Sequence, residues 1–220
     1  MKTQDRLLNI GTVVAVLCCI AVTSVAMLRP ASTSLLAIKP SLPDEREVPD
    51  WRQQISLGRR IGRENARLTV LEFGDFQCPA CRSFFREIEE VRKAHPELIS
   101  LSFRHSPLSY HRQAYPSARA AECAADQGRF EDMYKVLYSE QDSLGHVPYS
   151  ELGRKAGVTD LTKFARCVAD TVPVPRIERD LLAAKTTQIP GTPAIVVNGK
   201  LYMHSTPEIS ELLRIASAKD

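Results

Sequence analysis

The chain has 220 residues, with 29 Lys and Arg against 26 Asp and Glu, and a formal net charge of +3. This length is enough for one domain with a substantial core, or for one domain that carries an insertion. A charge this small does not indicate nucleic-acid binding, and the sequence has no Gly-rich phosphate loop. We therefore expect no nucleic acid among the partners of this protein.

An apolar run without Asp, Glu, Lys or Arg extends over residues 7–28. A helix of about 20 apolar residues spans a bilayer, and Lys2 and Arg6 before the run favour a cytoplasmic N-terminus. We therefore predict that residues 1–29 are a cytoplasmic tip and a transmembrane signal anchor. A cleaved signal peptide, with a small-x-small cleavage site at residues 24–26, stays open as the alternative.

Both interpretations place the rest of the chain in the periplasm or at the cell exterior, where disulfides persist. Lipid attachment at Cys18 or Cys19 is disfavoured because Leu17, rather than a small residue, precedes the first of them. Residues 30–50 are rich in Pro, Ser and charged side chains, so we predict a tether between membrane and domain.

Hydrophobic periodicity predicts an alternation of strands and helices after this tether. Residues 51–61 fit a short helix or the entry to a strand equally well. The elements that follow are a strand at 68–73, a helix ending near residue 95, a strand at 98–103, a long helical region at about 115–185, strands at 194–197 and 200–203 joined by an Asn198-Gly199 hairpin turn, and a last helix starting near residue 208. This order predicts a small sheet flanked by helices, with a helical domain inserted after the second strand.

Two cysteines, Cys78 and Cys81, follow the first of these strands in the sequence Cys-Pro-Ala-Cys. Pro79 suits the first position of a helix, where its missing N–H is not needed. The helical period then places Cys81 on the buried face and Cys78 at the cap, with its sulfur outward. Unpaired N–H groups at a helix N-terminus stabilise an anion, and the thiolate is the reactive form of cysteine. We therefore predict a dithiol/disulfide switch in which Cys78 attacks and Cys81 resolves.

The same spacing also occurs in zinc sites, but these need a second pair of ligands at short spacing. Cys123 and Cys167 are far apart and isolated, so we expect no metal and no organic cofactor. In an exported domain we expect these two cysteines to form a structural disulfide. Two unpaired buried thiols are the alternative.

Glu72 lies in the middle of an apolar strand, six residues before Cys78. A carboxylate in this position is unfavourable unless it is partnered, protonated or exposed on a wet face of the sheet. The functional interpretation is a buried acid with a raised pKa that takes the proton from Cys81. An exposed strand face is the alternative.

Pro193 follows Thr192 and directly precedes a strand. A cis peptide bond here would expose the Thr192 backbone for pairing with an extended substrate segment, and a trans bond would have no such role. His105, His111 and His146 are isolated in loop-like contexts, and we predict surface residues rather than ligands.

Three segments, 73–81, 191–194 and Asn198-Gly199, together resemble the DsbA-like branch of the thioredoxin superfamily. The resemblance covers about residues 62–218, most of the exported part. It implies a thioredoxin fold, an α/β fold with a central mixed sheet flanked by helices, over residues 51–220. The helical domain is then an insertion at about 106–187.

The resemblance also implies roles for individual residues. It implies that Cys78 is the nucleophile and Cys81 the resolving thiol, that Glu72 is the buried acid, and that Pro193 is cis and faces the sulfurs. The strongest oxidants of the family carry His where this chain has Ala80, and the Ala80 side chain cannot donate a hydrogen bond to the thiolate. We therefore expect a less oxidising pair than in those members.

These observations together predict a membrane-tethered protein-disulfide oxidoreductase that donates its Cys78–Cys81 disulfide to exported proteins with reduced cysteines. Thr before the proline also occurs in isomerases and reductases of the family, so a reductase or isomerase is the alternative. A non-catalytic metal-binding or structural module is a further alternative. The resemblance implies reoxidation by a membrane quinone-linked thiol oxidase, and a monomer is the default oligomeric state.

Overall fold

A computed structural model of the chain describes residues 46–203 and 207–218. The predicted signal anchor, the alternative cleavage site, Cys18 and Cys19, and residues 30–45 of the predicted tether lie outside these described residues. Within the described ranges, no helix combines the length and the apolar character needed to cross a bilayer.

The described strands are β1 (Arg46–Glu47), β2 (Arg59–Ile61), β3 (Leu68–Gly74), β4 (Ile99–His105), β5 (Ala194–Val197) and β6 (Lys200–Met203). They form one mixed sheet in the order β1-β6-β5-β3-β4-β2. β3 runs parallel to β4 and antiparallel to β5, so it lies in the interior of the sheet. β5 and β6 form the predicted hairpin, and its turn residues Asn198 and Gly199 both have positive φ.

The edge strand β1 differs from the tether that we predicted for this part of the chain. β1 pairs antiparallel with β6, and Val48 just after it is buried. The predicted tether is therefore wrong at its C-terminal end, because the folded domain already includes Arg46. Edge strands pair through backbone groups and favour charged side chains, so such a strand carries no apolar signal. The ambiguous stretch 51–61 contains both a helix and β2.

The described helices are α1 (Trp51–Leu57), α2 (Pro79–Ala94), α3 (Ala114–Ala125), α4 (Phe130–Ser139), α5 (Tyr149–Lys155), α6 (Leu161–Ala169), α7 (Pro175–Thr186) and α8 (Ile209–Ser217), with a short 3-10 helix at Gln141–Ser143. Helices α3 to α7 lie between β4 and β5 in the chain. The helical region predicted at about 115–185 thus corresponds to these five helices, which we call the helical insertion.

Both faces of the sheet are covered by apolar side chains. One core cluster contains Val70 of β3 together with Ile88 of α2 and Met133 of α4. A second, smaller cluster contains Leu71 of β3 and Ala184 of α7. Strand alternation sends successive β3 side chains to opposite faces, so every residue of this strand except Thr69 is buried. A polar side chain in β3 is therefore shielded from water on either face.

Cys123 in α3 and Cys167 in α6 form a disulfide, with their Cα atoms 5.8 Å apart. This is the structural disulfide that we predicted for these two cysteines. The bond joins two helices of the insertion across 44 residues of sequence. It leaves Cys78 and Cys81 as the free cysteines of the described chain.

Candidate active site

The turn between β3 and α2 carries the two free cysteines. Cys78 is the N-cap of α2 with an extended backbone, and Pro79 is the first helical residue, as its fixed φ favours. The backbone N–H of Cys78 donates to the carbonyl of Asp75 at 3.1 Å. The Asp75 carboxylate accepts a bond from the N–H of Gln77 at 2.7 Å. These short-range bonds fix the direction in which the helix leaves the strand.

The Cys78 sulfur is stabilised as a thiolate. A hydrogen bond from the Cys81 thiol is the main cause, and together with the backbone N–H groups of Ala80 and Cys81 it lowers the pKa of Cys78 to about 5 despite burial. These N–H groups belong to the first helical turn, where they have no partner within the helix. At neutral pH the Cys78 sulfur is therefore in its nucleophilic form.

Cys78 is more enclosed than the sequence predicted. The residue is only 6% exposed, and its thiol points to the carbonyl oxygen of Thr192 at 3.4 Å. The expectation of an outward-pointing sulfur is thus corrected. The period of α2 locates the helix cap, but it does not show that the loop before β5 folds over that cap.

Cys81 has the opposite protonation preference. The residue is fully buried, and burial raises the pKa of its thiol well above the ordinary value of 9, with further contributions from the bond to Cys78 and the charge of Glu72. One short sequence thus holds an acidic sulfur and a weakly acidic sulfur side by side. This combination permits thiol–disulfide exchange at the first sulfur and closure of the disulfide by the second.

The loop before β5 completes the outer side of the site. The peptide bond between Thr192 and Pro193 is cis, which decides between the two conformations that the sequence left open. A cavity of about 470 Å³ opens beside the cysteines, and its lining includes Ala80, Ser83, Tyr110, Gly191, Thr192 and Pro193.

Glu72 lies on the inner side of the site. It is fully buried, so the wet-face alternative does not hold. Burial raises the pKa of its carboxyl group to about 8, although hydrogen bonds from Tyr134 at 3.1 Å and Tyr138 at 3.4 Å oppose this effect. At neutral pH Glu72 is therefore mostly a neutral acid in equilibrium with a minor carboxylate.

The sequence model of the family described as thioredoxin matches residues 56–214. The chain belongs to the thioredoxin family. Its architecture is a thioredoxin-like α/β fold, a mixed sheet with flanking helices.

Solved structures of other proteins share the fold. Oxidised BdbD from Bacillus subtilis superposes with a TM-score of 0.63 at 20% identity, covering 75% of this chain and 94% of that one. DsbA2 from Pseudomonas aeruginosa gives a TM-score of 0.57 at 22% identity, covering 73% of this chain and 93% of that one. The shared architecture thus includes nearly all of each of these two proteins.

Sequence relatives are longer proteins. The Na(+)/H(+) antiporter NhaA 1 of Mycolicibacterium gilvum is 36% identical over 146 residues, which are 64% of this chain and 23% of the antiporter. The Na(+)/H(+) antiporter NhaA 3 of Salinispora tropica is 33% identical over 142 residues, which are 64% of this chain and 22% of the antiporter. The chain thus spans less than a quarter of the length of either relative.

Two histidines of the thioredoxin-family domain are not simple surface residues. His105 is fully buried at the end of β4, and its Nε2 lies 2.9 Å from the carboxylate of Glu122. His111 Nδ1 lies 2.8 Å from the Asp75 carboxylate. The surface prediction is therefore wrong for His105, because its partner comes from α3. His146 is exposed, as predicted.

Gln141 is a site residue that the sequence analysis missed. Its buried side-chain amide donates to the carbonyl of Phe76 at 2.7 Å and to that of Cys78 at 3.0 Å. The residue follows α4 and lies 63 positions from Cys78, so no local pattern could have connected the two. The residue lies outside α4, in the short 3-10 helix that follows it, and its spacing of three positions from Tyr138 was the only available signal.

Among residues 46–203 and 207–218, no group of three or more His, Cys, Asp and Glu side chains is arranged to hold a metal ion. The zinc interpretation of the cysteine pair therefore receives no support from this part of the chain.

Proposed function

We propose that this protein is a protein-disulfide oxidoreductase that donates a Cys78–Cys81 disulfide to exported proteins. The observation that carries the proposal is the opposite acidity of the two sulfurs, with the pKa of Cys78 lowered to about 5 and that of Cys81 raised well above 9. A stable Cys78 thiolate favours the reduced protein over its disulfide. The disulfide is therefore a good electron acceptor.

In the forward reaction, a substrate thiolate attacks the Cys78 sulfur of the disulfide. A substrate–Cys78 bond forms, the Cys78–Cys81 bond breaks, and Cys81 leaves as a thiolate. Because Cys81 binds its proton tightly, a proton donor is needed. The buried, protonated Glu72 is the candidate donor, since its carboxylate form acts electrostatically on this sulfur. A second substrate thiolate then attacks the substrate sulfur of the mixed disulfide. Cys78 leaves as a thiolate, and two electrons have passed from the substrate to the pair.

The loop at Thr192 and Pro193 fits a substrate-holding role in this scheme. The Thr192 carbonyl lies against the Cys78 sulfur, and the same loop lines the adjacent cavity. An extended substrate segment pairing with this backbone would bring its own sulfur to Cys78. The reverse flow of electrons, as in a reductase or isomerase, uses the same groups. Ala80 favours this alternative because its side chain supplies no hydrogen-bond donor to the Cys78 thiolate.

Location and partners are also part of the proposal. We place the domain on the periplasmic or extracellular side, tethered by residues 1–29, with a membrane quinone-linked thiol oxidase as its reoxidant. The relatives support membrane proximity, because proteins with a matching segment are named as Na(+)/H(+) antiporters, which work in membranes. A monomer suffices, since both sulfurs and the acid come from one chain.

The test is disulfide transfer from the oxidised full chain to a reduced protein with two cysteines. We expect oxidised wild type to oxidise it and Cys78→Ser to leave it reduced. When reduced Cys81→Ser is offered a disulfide-bonded protein instead, its Cys78 thiolate should attack that disulfide and accumulate as a mixed disulfide, because no second thiol resolves it. Equilibration with glutathione then gives the direction of flow. A potential above that of thioredoxin, about −270 mV, supports a donor, and one at or below it supports the reductase. If Cys78→Ser still oxidises the substrate protein, both the disulfide-donor and the reductase interpretations are contradicted.

A further inference from the structure

The helical insertion reaches the buried side of the cysteine pair through one helix. Tyr134 and Tyr138 lie four residues apart on α4, so their side chains share one face. Both are fully buried, and their hydroxyl groups donate to different oxygens of Glu72, Oε2 at 3.1 Å and Oε1 at 3.4 Å. The carboxyl group is therefore held at both oxygens by a segment more than 60 residues away in the chain.

Aromatic packing fixes these two hydroxyl groups. The rings of Tyr134 and Tyr138 are 5.0 Å apart, edge to face. Phe85 of α2 lies 5.6 Å from the first ring and 5.2 Å from the second, and Phe76 lies 6.0 Å and 5.0 Å from them. Because both phenylalanines flank the cysteine turn, rotation of either tyrosine would disturb that turn.

The other groups around Glu72 do not replace the tyrosines. The sulfurs of Cys78 and Cys81 are negative or neutral, so neither stabilises a Glu72 carboxylate. The neighbours of Glu72 on the adjacent strands, Phe103 and Ile195, are apolar. The tyrosines are themselves influenced by more distant charges. These are Glu89 and Arg92 for Tyr134 and Asp75 for Tyr138.

We propose that Tyr134 and Tyr138 are positioning residues of the redox site, which fix the orientation and the protonation state of the Glu72 carboxyl group that serves Cys81. The catalytic part of this inference rests on the proposed function. The effect of the two tyrosines on the Glu72 carboxyl group does not. Phenolic donors stabilise the carboxylate and oppose the burial that favours the neutral acid. The insertion thus sets the pH range in which Glu72 can give or take a proton.

The direct test is the titration of Glu72 by carbon NMR in full chain labelled at the glutamate carboxyl groups, with Glu72→Gln assigning the signal. Losing one hydrogen bond to a charged group shifts a pKa by about 1 unit or more. We expect Tyr134→Phe and Tyr138→Phe each to raise the midpoint from near 8 by about one pH unit, and the double variant to raise it further.

Tyr149→Phe is the matched control. Tyr149 also belongs to the insertion and hydrogen-bonds to Ser117 and Gln113, away from Glu72. Its Phe variant should leave the midpoint in place. Unchanged midpoints in both test variants, or an equal shift in Tyr149→Phe, would overturn the inference.

Disulfide transfer provides the second measurement. The pH profile of single-turnover oxidation of a reduced two-cysteine peptide should move with the Glu72 midpoint in each tyrosine variant. A profile that stays in place while the midpoint moves would overturn the catalytic part of the inference. If wild type transfers no disulfide, the proposed function fails, and the NMR midpoints still decide the role of the tyrosines.

Discussion

Removing the Cys81 thiol should make Cys78 less acidic by an amount that can be worked out from the structure. The hydrogen bond from Cys81 is the main cause of the low pKa of Cys78, which lies at about 5 rather than 9. A hydrogen bond to a charged group contributes about 1.5–3 kcal/mol, and one pKa unit corresponds to about 1.4 kcal/mol. In Cys81→Ala we therefore expect the pKa of Cys78 to rise to about 6–7.

Cys81→Ser is the matched variant, because its hydroxyl group can still donate to the Cys78 thiolate. We expect this variant to keep the pKa of Cys78 near 5. The rise in Cys81→Ala should stop short of 9, since the backbone N–H groups of Ala80 and residue 81 remain in place. The two variants thus separate the side-chain bond from the helix N-terminus.

The assay is alkylation across a pH range, read by mass spectrometry on the peptide that contains Cys78. This readout distinguishes Cys78 from Cys18 and Cys19, and the Cys123–Cys167 disulfide does not react. If Cys81→Ala alkylates with the same pH midpoint as wild type, the Cys81 thiol does not stabilise the thiolate. If both variants shift equally, the loss comes from packing rather than from the donor.

Three further predictions concern stability, each measured by denaturant unfolding of the oxidised protein. Burial raises the pKa of Glu72 from 4.5 to about 8, so the folded state binds the proton more tightly. Wild-type stability should fall by about 4 kcal/mol from pH 4.5 to 8, and Glu72→Gln should remove this slope. Replacing Cys123 and Cys167 by Ala opens a 44-residue loop and should cost about 4 kcal/mol; a loss below about 1 kcal/mol would contradict the loop-entropy argument. In wild type the Asp180 carboxylate lies 2.8 Å from the buried Arg104 guanidinium. Asp180→Ala leaves that guanidinium without its carboxylate and should lower the free energy of unfolding by about 3–5 kcal/mol. An unchanged unfolding midpoint would mean that water reaches the arginine.

Local patterns in the sequence were sufficient for the parts of the fold that depend on them. The apolar strand before Cys78, the Pro79 helix start and the Asn198-Gly199 turn each involve neighbouring residues, and all three are present in the structure. The edge strand at Arg46 was missed because its partner, Leu201, is more than 150 residues away and its own side chains are polar. Pairing of this kind depends on the rest of the sheet rather than on the strand itself.

The same distinction applies to the site. The order of the two cysteines follows from their positions on one helix, so the sequence was enough to distinguish an outer and a buried sulfur. The burial of Glu72 depends on α4 covering that face of the sheet, and strand alternation alone leaves the face open. The enclosure of Cys78 by Thr192, and the contact of Gln141 with the cysteine turn, join segments more than 60 residues apart. Residue spacing along the chain contains no information about such contacts.

The different acidities of the two sulfurs follow from what covers each side of the cysteine turn. On the outer side, a loop and a helix N-terminus supply polar groups and leave a cavity open, so charge on Cys78 is tolerated. On the inner side, α4 supplies tightly packed rings and two hydroxyl groups directed at Glu72, so charge on Cys81 is opposed. Because desolvation is stronger for the sulfur that faces the insertion, exchanging the two roles would require moving α4 rather than changing either cysteine.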